Sequence, residues 1–310
     1  MKLTNVNLSE FDKGDNDVTY SNANLVDEAL SSLGFMAISR QMINDNLLRD
    51  IFNASKDFFA LSKEEKMKSA YLSAGENFGF HAIASEHLDP TKPADLKETF
   101  TMRNILNNDV DHDRWPSPEF KDLMQRFFSE CLDKAHQLQR VLAKALDIEE
   151  NFFVNCHTGE NVTLRLLHYP RTDSANVSKS QLGAGAHTDY GLFTLLFTDS
   201  VEGLEVCDSH GNWLPIESSS SSIIINSGDL LERWTNGKYR STLHRVKPMI
   251  DGQDRFSVAF FVDPDSDTQV DVLKTCICKE RPKRYSSITA GDYILRRIQD
   301  SQRKLASAGS

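Results

Sequence analysis

The 310-residue sequence has no hydrophobic segment of the length that a transmembrane helix requires, which is about 20 residues. Its first residues, MKLTNVNLSEF, also lack the apolar centre of a signal peptide. These two absences argue against a membrane protein and against a secreted one. We therefore expect a cytoplasmic protein that makes no contact with membranes.

Positive charge is also scarce, because 35 Lys and Arg residues face 45 Asp and Glu residues, which gives a formal net charge of −10. Proteins whose main partner is a nucleic acid usually carry an excess of basic residues. The charge balance therefore argues against nucleic acid as a partner and favours a small molecule. Nothing in the sequence specifies an oligomeric state.

Cysteine is rare, and the five cysteines do not form the paired spacing of a zinc finger. Cys276 and Cys278 are separated by a single residue, so their side chains would point the same way in a strand. An odd number of scattered cysteines does not indicate a disulfide framework. We interpret all five as buried, reduced thiols rather than as metal ligands.

The first half of the chain has helical periodicity, and its second half has the pattern of short strands. Predicted helices cover residues 24–35, 44–59, 117–146 and 289–305, with a short helix capped by Ser62 and a strand at 35–39. Residues 72–116 lose this periodicity, as a lid or a functional surface often does. Predicted strands cover residues 162–169, 192–197, 204–208, 213–216, 223–226, 242–246 and 256–262.

Regularly spaced short strands are typical of a β-sandwich or a jelly-roll barrel. We predict a single domain over residues 1–310 that is mainly β with flanking helices. Its parts are a mostly helical region at 1–160, a β core at 161–285, and a C-terminal helix and tail at 286–310.

The segment GAHTDYGLFTLLF, residues 185–197, places His187 and Asp189 where a strand meets a polar turn. Residues i and i+2 of an extended chain point the same way, so both side chains can reach one point. With His244, from STLHRV, they would form the set of two histidines and one carboxylate that holds Fe(II) and leaves positions open. Such a site keeps one net positive charge, which favours an anionic chelating co-substrate. Taken alone, His-x-Asp is more often a surface pair or a hydrogen-bonded core histidine.

A second pair of residues points to an anion. Arg255 and Ser257 lie two residues apart in the apolar segment RFSVAFF. A guanidinium is a natural bidentate partner for a carboxylate, and a neighbouring hydroxyl adds one more donor. An unpaired arginine is costly to bury in such a strand. Arg255 therefore requires an anion, which is either a co-substrate carboxylate or an Asp or Glu of the chain.

Tyr169 ends the predicted strand VTLRLLHY and shares one face of it with Arg165 and Leu167. A phenol in a pocket can donate a hydrogen bond to the same anion. It is equally typical of a tyrosine at the edge of a core. The sequence alone leaves both interpretations open.

Four segments together resemble the non-haem Fe(II)/2-oxoglutarate dioxygenases of the isopenicillin-N-synthase-like superfamily. These are GAHTDYGLFTLLF, VEGLEVCDSHGNWLPI, IIINSGDLLERWTNGKYRSTLHRV and DRFSVAFFVDP. The opening EALSSLGFMAIS and the closing SSITAGDYILRRI also resemble that family.

The resemblance implies a double-stranded β-helix with Fe(II) on His187, Asp189 and His244. It implies that Arg255 and Ser257 hold the distal carboxylate of 2-oxoglutarate. The implied reaction uses O₂, converts 2-oxoglutarate to succinate and CO₂, and hydroxylates or desaturates a small organic molecule.

In the same comparison, Tyr169 matches a tyrosine that often contacts the co-substrate. Two departures from the family pattern concern neighbouring residues. Leu167 stands where many plant members have Asn, so one hydrogen bond to the co-substrate is missing or is supplied from elsewhere. SRQMI, at residues 39–43, replaces a common Asn-His-Gly-Ile turn, and this change leaves the site intact.

Three other functions compete with this one. A same-fold Fe(II) oxidase would use Arg255 and Ser257 to hold the carboxylate of its substrate and would need no 2-oxoglutarate. A non-catalytic small-molecule binding module would not need all three metal ligands. A zinc hydrolase would need a base beside the metal, and the sequence has no HExxH motif.

The identity of the substrate is not encoded in any motif. We expect its contacts to come from the mouth of the barrel and the irregular segment, and an anionic substrate if Lys97 or Arg103 faces the cavity. The other candidate contacts are Phe78, Phe80, His81, Phe100, Phe193 and Phe261.

Overall fold

The computed structural model describes residues 1–8, 16–89, 91–107, 114–173, 175, 177–178, 180–217, 222–250 and 252–307. Within these ranges, none of the helices combines the length and the apolar character that crossing a membrane requires. The helices are α1 (Asn16–Ser32), α2 (Asp45–Ala60), α3 (Lys63–Met67), α4 (Pro118–Ala145), α5 (Asp229–Trp234) and α6 (Ala290–Ser307).

The strands are short, and most follow residue 162. They are β1 (Asn5–Val6), β2 (Phe35–Ser39), β3 (Phe78–His81), β4 (Glu98–Arg103), β5 (Thr163–Tyr169), β6 (Arg171–Thr172), β7 (Ala184–His187), β8 (Phe193–Thr198), β9 (Leu204–Cys207), β10 (Trp213–Pro215), β11 (Ser222–Ser227), β12 (His244–Val246), β13 (Met249–Ile250), β14 (Arg255–Val262), β15 (Gln269–Val270) and β16 (Ile288–Thr289).

Two sheets face each other across the centre of the molecule. The larger has the order β1-β2-β11-β8-β14-β5-β4-β3, and the smaller has the order β10-β9-β12-β7. Apolar side chains from both sheets meet in one buried cluster, to which Leu167 and Ala259 contribute from the large sheet and Val206 and Val246 from the small one. This arrangement is the predicted jelly-roll core.

Helices cover the other face of the large sheet. Phe127 of α4 packs against Phe197 of β8 with ring centroids 5.3 Å apart, and Phe128 packs against Phe260 of β14 at 5.0 Å. The predicted start of α4 is confirmed, because the Ser117 hydroxyl accepts a hydrogen bond within the first turn. The helices therefore back the sheet and leave its other face to the cavity between the sheets.

The irregular segment at 72–116 contains two strands that the sequence did not predict. β3 and β4 pair antiparallel, and β4 continues the large sheet beside β5. β4 is buried on both faces, with Phe100 and Met102 in the core and the threonines 99 and 101 on the opposite face. Thr99 to Met102 do alternate polar with apolar residues, but this pattern is short, and the Gly, Pro and charged residues of the surrounding segment obscure it.

One interpretation of the cysteines is wrong. All five are free, but Cys278 is exposed, and only Cys131 and Cys276 are fully buried. Lys274–Cys276 is a 3-10 turn, not a strand, and Cys278 pairs through its backbone with Arg281. The two neighbouring thiols therefore do not point the same way.

Gly34 joins α1 to β2 at a position that requires glycine. Its φ is +76°, and a Cβ there would overlap the carbonyl oxygen of Arg240 and lie 2.9 Å from the Thr242 hydroxyl. We expect Gly34→Ala to lower the free energy of unfolding by about 1–3 kcal/mol, measured by urea denaturation. Gly75→Ala is the matched control, because a Cβ at Gly75 meets no atom within 4 Å. Equal stability of the two variants would contradict this explanation.

Candidate metal centre and co-substrate pocket

The three predicted metal ligands converge between the two sheets. His187 ends β7, Asp189 lies two residues further on, and His244 begins β12 directly opposite His187. The Oδ1 atom of Asp189 is 3.9 Å from Nε2 of His187 and 3.7 Å from Nε2 of His244. Both imidazoles thus point at one carboxylate oxygen, in a group whose ligand atoms all lie within 4.8 Å of one another.

The second nitrogen of each imidazole is engaged by the backbone. Nδ1 of His187 lies 2.8 Å from the carbonyl oxygen of Gly185, and Nδ1 of His244 lies 3.1 Å from that of Thr242. A carbonyl accepts the Nδ1 proton, so the lone pair of Nε2 faces the centre. Burial, and the neighbouring His244, lower the pKa of His187 to about 3. His187 is therefore neutral at pH 7, as a metal ligand must be.

Two neighbours hold the carboxylate of Asp189. Its Oδ2 atom accepts hydrogen bonds from the Thr194 hydroxyl at 2.5 Å and from the Asn226 amide at 2.6 Å. Burial by itself raises the pKa of Asp189, but the two imidazoles and these hydrogen bonds bring it below its ordinary value. An ionised carboxylate with one committed oxygen and two neutral imidazoles fits Fe(II), with room for further ligands.

Thr194 and Asn226 were not identified from the sequence. Each is the single polar residue of a strand predicted from the sequence, Thr194 in LFTLLF and Asn226 in IIIN. Both are almost fully buried. An isolated polar residue in a core strand needs a hydrogen-bond partner, and this requirement could have identified both residues from the sequence.

Arg255 forms a second site at the start of β14. It is 1% exposed, and it donates to the carbonyl of Val201 at 3.2 Å and to the Ser257 hydroxyl at 3.4 Å. Its guanidinium lies 4.9 Å from the centre of the Tyr169 ring. Within the described ranges, no carboxylate lies within salt-bridge distance of Arg255. A buried cation in this state can hold the carboxylate of a ligand.

One cavity joins Arg255 to the histidines. It contains about 1190 Å³ of empty space including its mouth, and its walls between the two sites are Leu167, Leu196, Leu204 and Val246. Leu167, at the position noted above as a departure from many plant dioxygenases, lines this cavity with an apolar side chain and offers no hydrogen bond. The cavity therefore provides an anion site and a metal site separated by apolar walls.

Two family models match this chain. Residues 150–264 match the 2OG-Fe(II) oxygenase superfamily, and residues 5–119 match the model described as the N-terminal part of the non-haem dioxygenases in morphine synthesis. The 2-oxoglutarate-Fe(II) type oxidoreductase hxnY of Emericella nidulans is 33% identical, over 87% of this chain and 81% of its own length. This protein belongs to the 2OG-Fe(II) oxygenases.

Other relatives and solved structures agree with this assignment. The proline hydroxylase buaE of Petromyces alliaceus is 32% identical over 87% of this chain and 90% of its own. A full-length Neurospora crassa protein, solved in complex with alpha-KG, superposes with a TM-score of 0.87 at 28% identity, covering 96% of both chains. A putative 2OG-Fe(II) oxygenase family protein of Caulobacter crescentus gives 0.82 at 29% identity, over 96% of this chain and 98% of its own. The predicted fold and the use of Fe(II), 2-oxoglutarate and O₂ are thereby confirmed.

The part of the oxygenase cavity beyond the histidines contains only some of the predicted substrate contacts. His81, Lys97 and Phe261 line it. Arg103 instead donates to the carbonyl of Gly75 and to Asn161. The remaining candidates are wrong, because they lie on the helix-covered faces of their strands, in the core: Phe78, Phe80, Phe100 and Phe193.

Buried charges in this part of the oxygenase are paired. Lys97 forms an ion pair with Asp95 and lies 3.5 Å from Glu86. Arg165 forms an ion pair with Glu86 as well. Burial lowers the pKa of His81 to about 4, so this imidazole is neutral at pH 7. Lys97 thus faces the cavity, but its charge is balanced by carboxylates.

Asp263 adds a carboxyl group to the same region. It lies immediately after β14 and lines the cavity, with its Oδ1 atom so close to Gly191 that a side chain there would overlap it. Burial raises the pKa of Asp263 to about 7, assisted by the charge of Asp189. The native carboxyl is therefore protonated under conditions in which the unfolded chain is ionised.

We expect this shift to appear as pH-dependent stability of the metal-free protein. Between about pH 4 and pH 7 the unfolded chain loses the Asp263 proton while the folded protein keeps it. The free energy of unfolding therefore falls across this range. Asp263→Asn removes the loss, so the advantage of this variant over the wild type should grow up to about pH 7 and then level off. Urea denaturation across this range measures it, with Asp57→Asn, on the exposed face of α2, as the control. A constant difference between Asp263→Asn and the wild type at all pH values would contradict the prediction.

Proposed function

We propose that this protein is an Fe(II)- and 2-oxoglutarate-dependent dioxygenase with a single domain over residues 1–310. In this proposal His187, Asp189 and His244 hold iron. Arg255, Ser257 and Tyr169 bind the distal carboxylate of 2-oxoglutarate. The observation that carries the proposal is a buried arginine with no carboxylate partner among the described residues, in one cavity with three convergent ligands.

The residues of the chain would bind and orient the reactants. Bound iron, 2-oxoglutarate and O₂ supply an oxidation in which the co-substrate becomes succinate and CO₂. Arg255 provides charge to the far carboxylate, Ser257 provides a further hydrogen bond, and the Tyr169 phenol, whose ring packs against the guanidinium, is a donor to the same anion. Leu204 and Val246 exclude water from the path between the two sites. No residue is needed as a general acid or base.

We infer a neutral, polar small molecule as the substrate. Lys97 and Arg165, the cations of the cavity beyond the histidines, are already paired with Asp95 and Glu86, so an additional negative charge would find no free cation there among the described residues. The Neurospora crassa protein was also solved in complex with thymine, a small-molecule ligand that supports this class. The free thiols support our further proposal of a reducing, cytoplasmic location.

Succinate formation tests the reaction itself. Protein reconstituted with Fe(II) should convert 2-oxoglutarate to succinate, and a library of neutral polar molecules should contain one that stimulates this conversion. His187→Ala should abolish both succinate formation and iron retention, because one of three ligands is lost. The exposed His210→Ala is the control. An active protein that consumes O₂ without forming succinate would instead be the same-fold oxidase, and a His187→Ala variant that binds iron normally would contradict the metal site.

Arg255→Leu tests the co-substrate pocket. Loss of the charge partner of a buried carboxylate should raise the Kd for 2-oxoglutarate at least about 30-fold. The affinity for iron should stay nearly unchanged, because Arg255 does not contact the histidines. Calorimetric titration of the metal-loaded protein measures the first and metal titration the second. Arg126→Leu, on the exposed face of α4, is the control, and equal 2-oxoglutarate affinities in the two variants would exclude this role for Arg255.

A further inference from the structure

The C-terminal helix α6 packs against residues 187–190, the end of β7 and the start of the following loop, which carry two of the predicted metal ligands. Arg297 of α6 donates to the hydroxyl of Thr188 at 3.2 Å, and Thr188 lies between His187 and Asp189. The same guanidinium lies 4.5 Å from the ring centre of Tyr190, the next residue of that loop. Arg297 therefore contacts the loop on both sides of Asp189.

Asp229 connects this contact to the rest of the fold. Its Oδ2 atom accepts hydrogen bonds from Arg297 and, at 2.8 Å, from the Tyr293 hydroxyl of α6. Its Oδ1 atom accepts from Ser241 at 2.6 Å. The backbone N–H of Asp229 donates to the carbonyl oxygen of Asp189 at 2.8 Å. Asp229 thus binds Arg297 through its side chain and binds the backbone of Asp189, a predicted metal ligand, through its own backbone.

The loop needs such support because Thr188, Asp189 and Tyr190 lie between β7 and β8, outside the sheet ladder. Supporting contacts of this kind fix the direction of metal ligands and contribute to metal affinity. α6 also contributes Ile294 and Ile298 to the cavity wall, so the position of the helix affects both the metal and the substrate space.

We propose that Arg297 is a positioning residue of the metal centre, which fixes the loop at 187–190 through Thr188, Tyr190 and Asp229. This inference rests on the proposed function, since it assumes that His187, Asp189 and His244 hold the metal. Arg297 is not among the described residues that line the cavity, so this role includes no contact with the metal or the substrate. Its effect passes through the orientation of His187 and Asp189.

The test is a titration of full-length protein with Co(II) alone, followed by the visible absorption of the bound metal. Arg297→Leu should weaken Co(II) affinity about 10-fold and change the absorption spectrum, because the ligands lose their fixed directions. Arg296→Leu is the matched control, since it removes the same charge from an exposed position of the same helix. Arg297→Lys keeps the charge opposite Asp229 and should restore part of the affinity.

Thr188→Val keeps the test decisive if Arg297→Leu does not fold. It removes only the hydroxyl that accepts from Arg297, and it should weaken Co(II) binding about 3-fold. The double variant Thr188→Val/Arg297→Leu should lose less than the product of the two single effects, because the two residues act through one contact. Such non-additivity, with a normal Arg296→Leu, supports the proposal.

Two negative results have different meanings. If the wild type binds Co(II) in a manner that His187→Ala abolishes, but Arg297→Leu and Thr188→Val bind it like Arg296→Leu, the positioning role is overturned and the metal site stands. If the wild type shows no saturable Co(II) binding, the proposed function fails, and the inference fails with it.

Discussion

The carboxylate of Asp189 is the element on which the geometry of the site depends. One of its oxygens accepts hydrogen bonds from Thr194 and Asn226, and the other faces the two imidazoles. Thr194 and Asn226 are direct neighbours across β8 and β11 of the large sheet. The backbone of Asp189, however, belongs to the loop that leaves the small sheet. Its side chain therefore joins the two sheets, and the position of the predicted metal ligand is fixed by both.

Strand β14 fixes the distance between the two ends of the cavity. Arg255, Ser257, Ala259 and Phe261 alternate along it, and the series continues at Asp263, so that all five line one wall. Eight residues of extended chain span about 26 Å, so a single strand places a positive group at one end and a carboxyl at the other. Because β5 and β8 pair with it on both sides, this spacing is set by the sheet and not by mobile loops.

The sequence predicted most elements, and it paired His187 with Asp189, because helical periodicity and the i, i+2 rule are local properties. His244, far along the chain, was assigned to the site by the resemblance to the dioxygenases, and the structure brings it to the other two. β4 was missed because its alternation of threonines with Phe100 and Met102 spans only four residues within a segment rich in Gly, Pro and charged residues. The faces of Phe78 and Phe100 were also unpredictable. Their side chains are apolar in either orientation, and only the pairing of β4 with β5 and of β3 with β4 decides which face meets the helices. Glu86, which balances two cations, is distant in sequence from Arg165, so local patterns could not identify it.

The buried cations show why the two ends of the cavity differ in what they can bind. A buried positive charge requires a negative partner. Lys97 and Arg165 have theirs within the chain, in Asp95 and Glu86. Arg255, which is more deeply buried than Arg165, contacts a carbonyl, a hydroxyl and the Tyr169 ring but no carboxylate among the residues that the structure describes. An anion therefore gains most at the Arg255 end. At the other end of the cavity, an anion would compete with the ion pairs of Lys97 and Arg165. The choice of substrate there therefore depends on shape and hydrogen bonds.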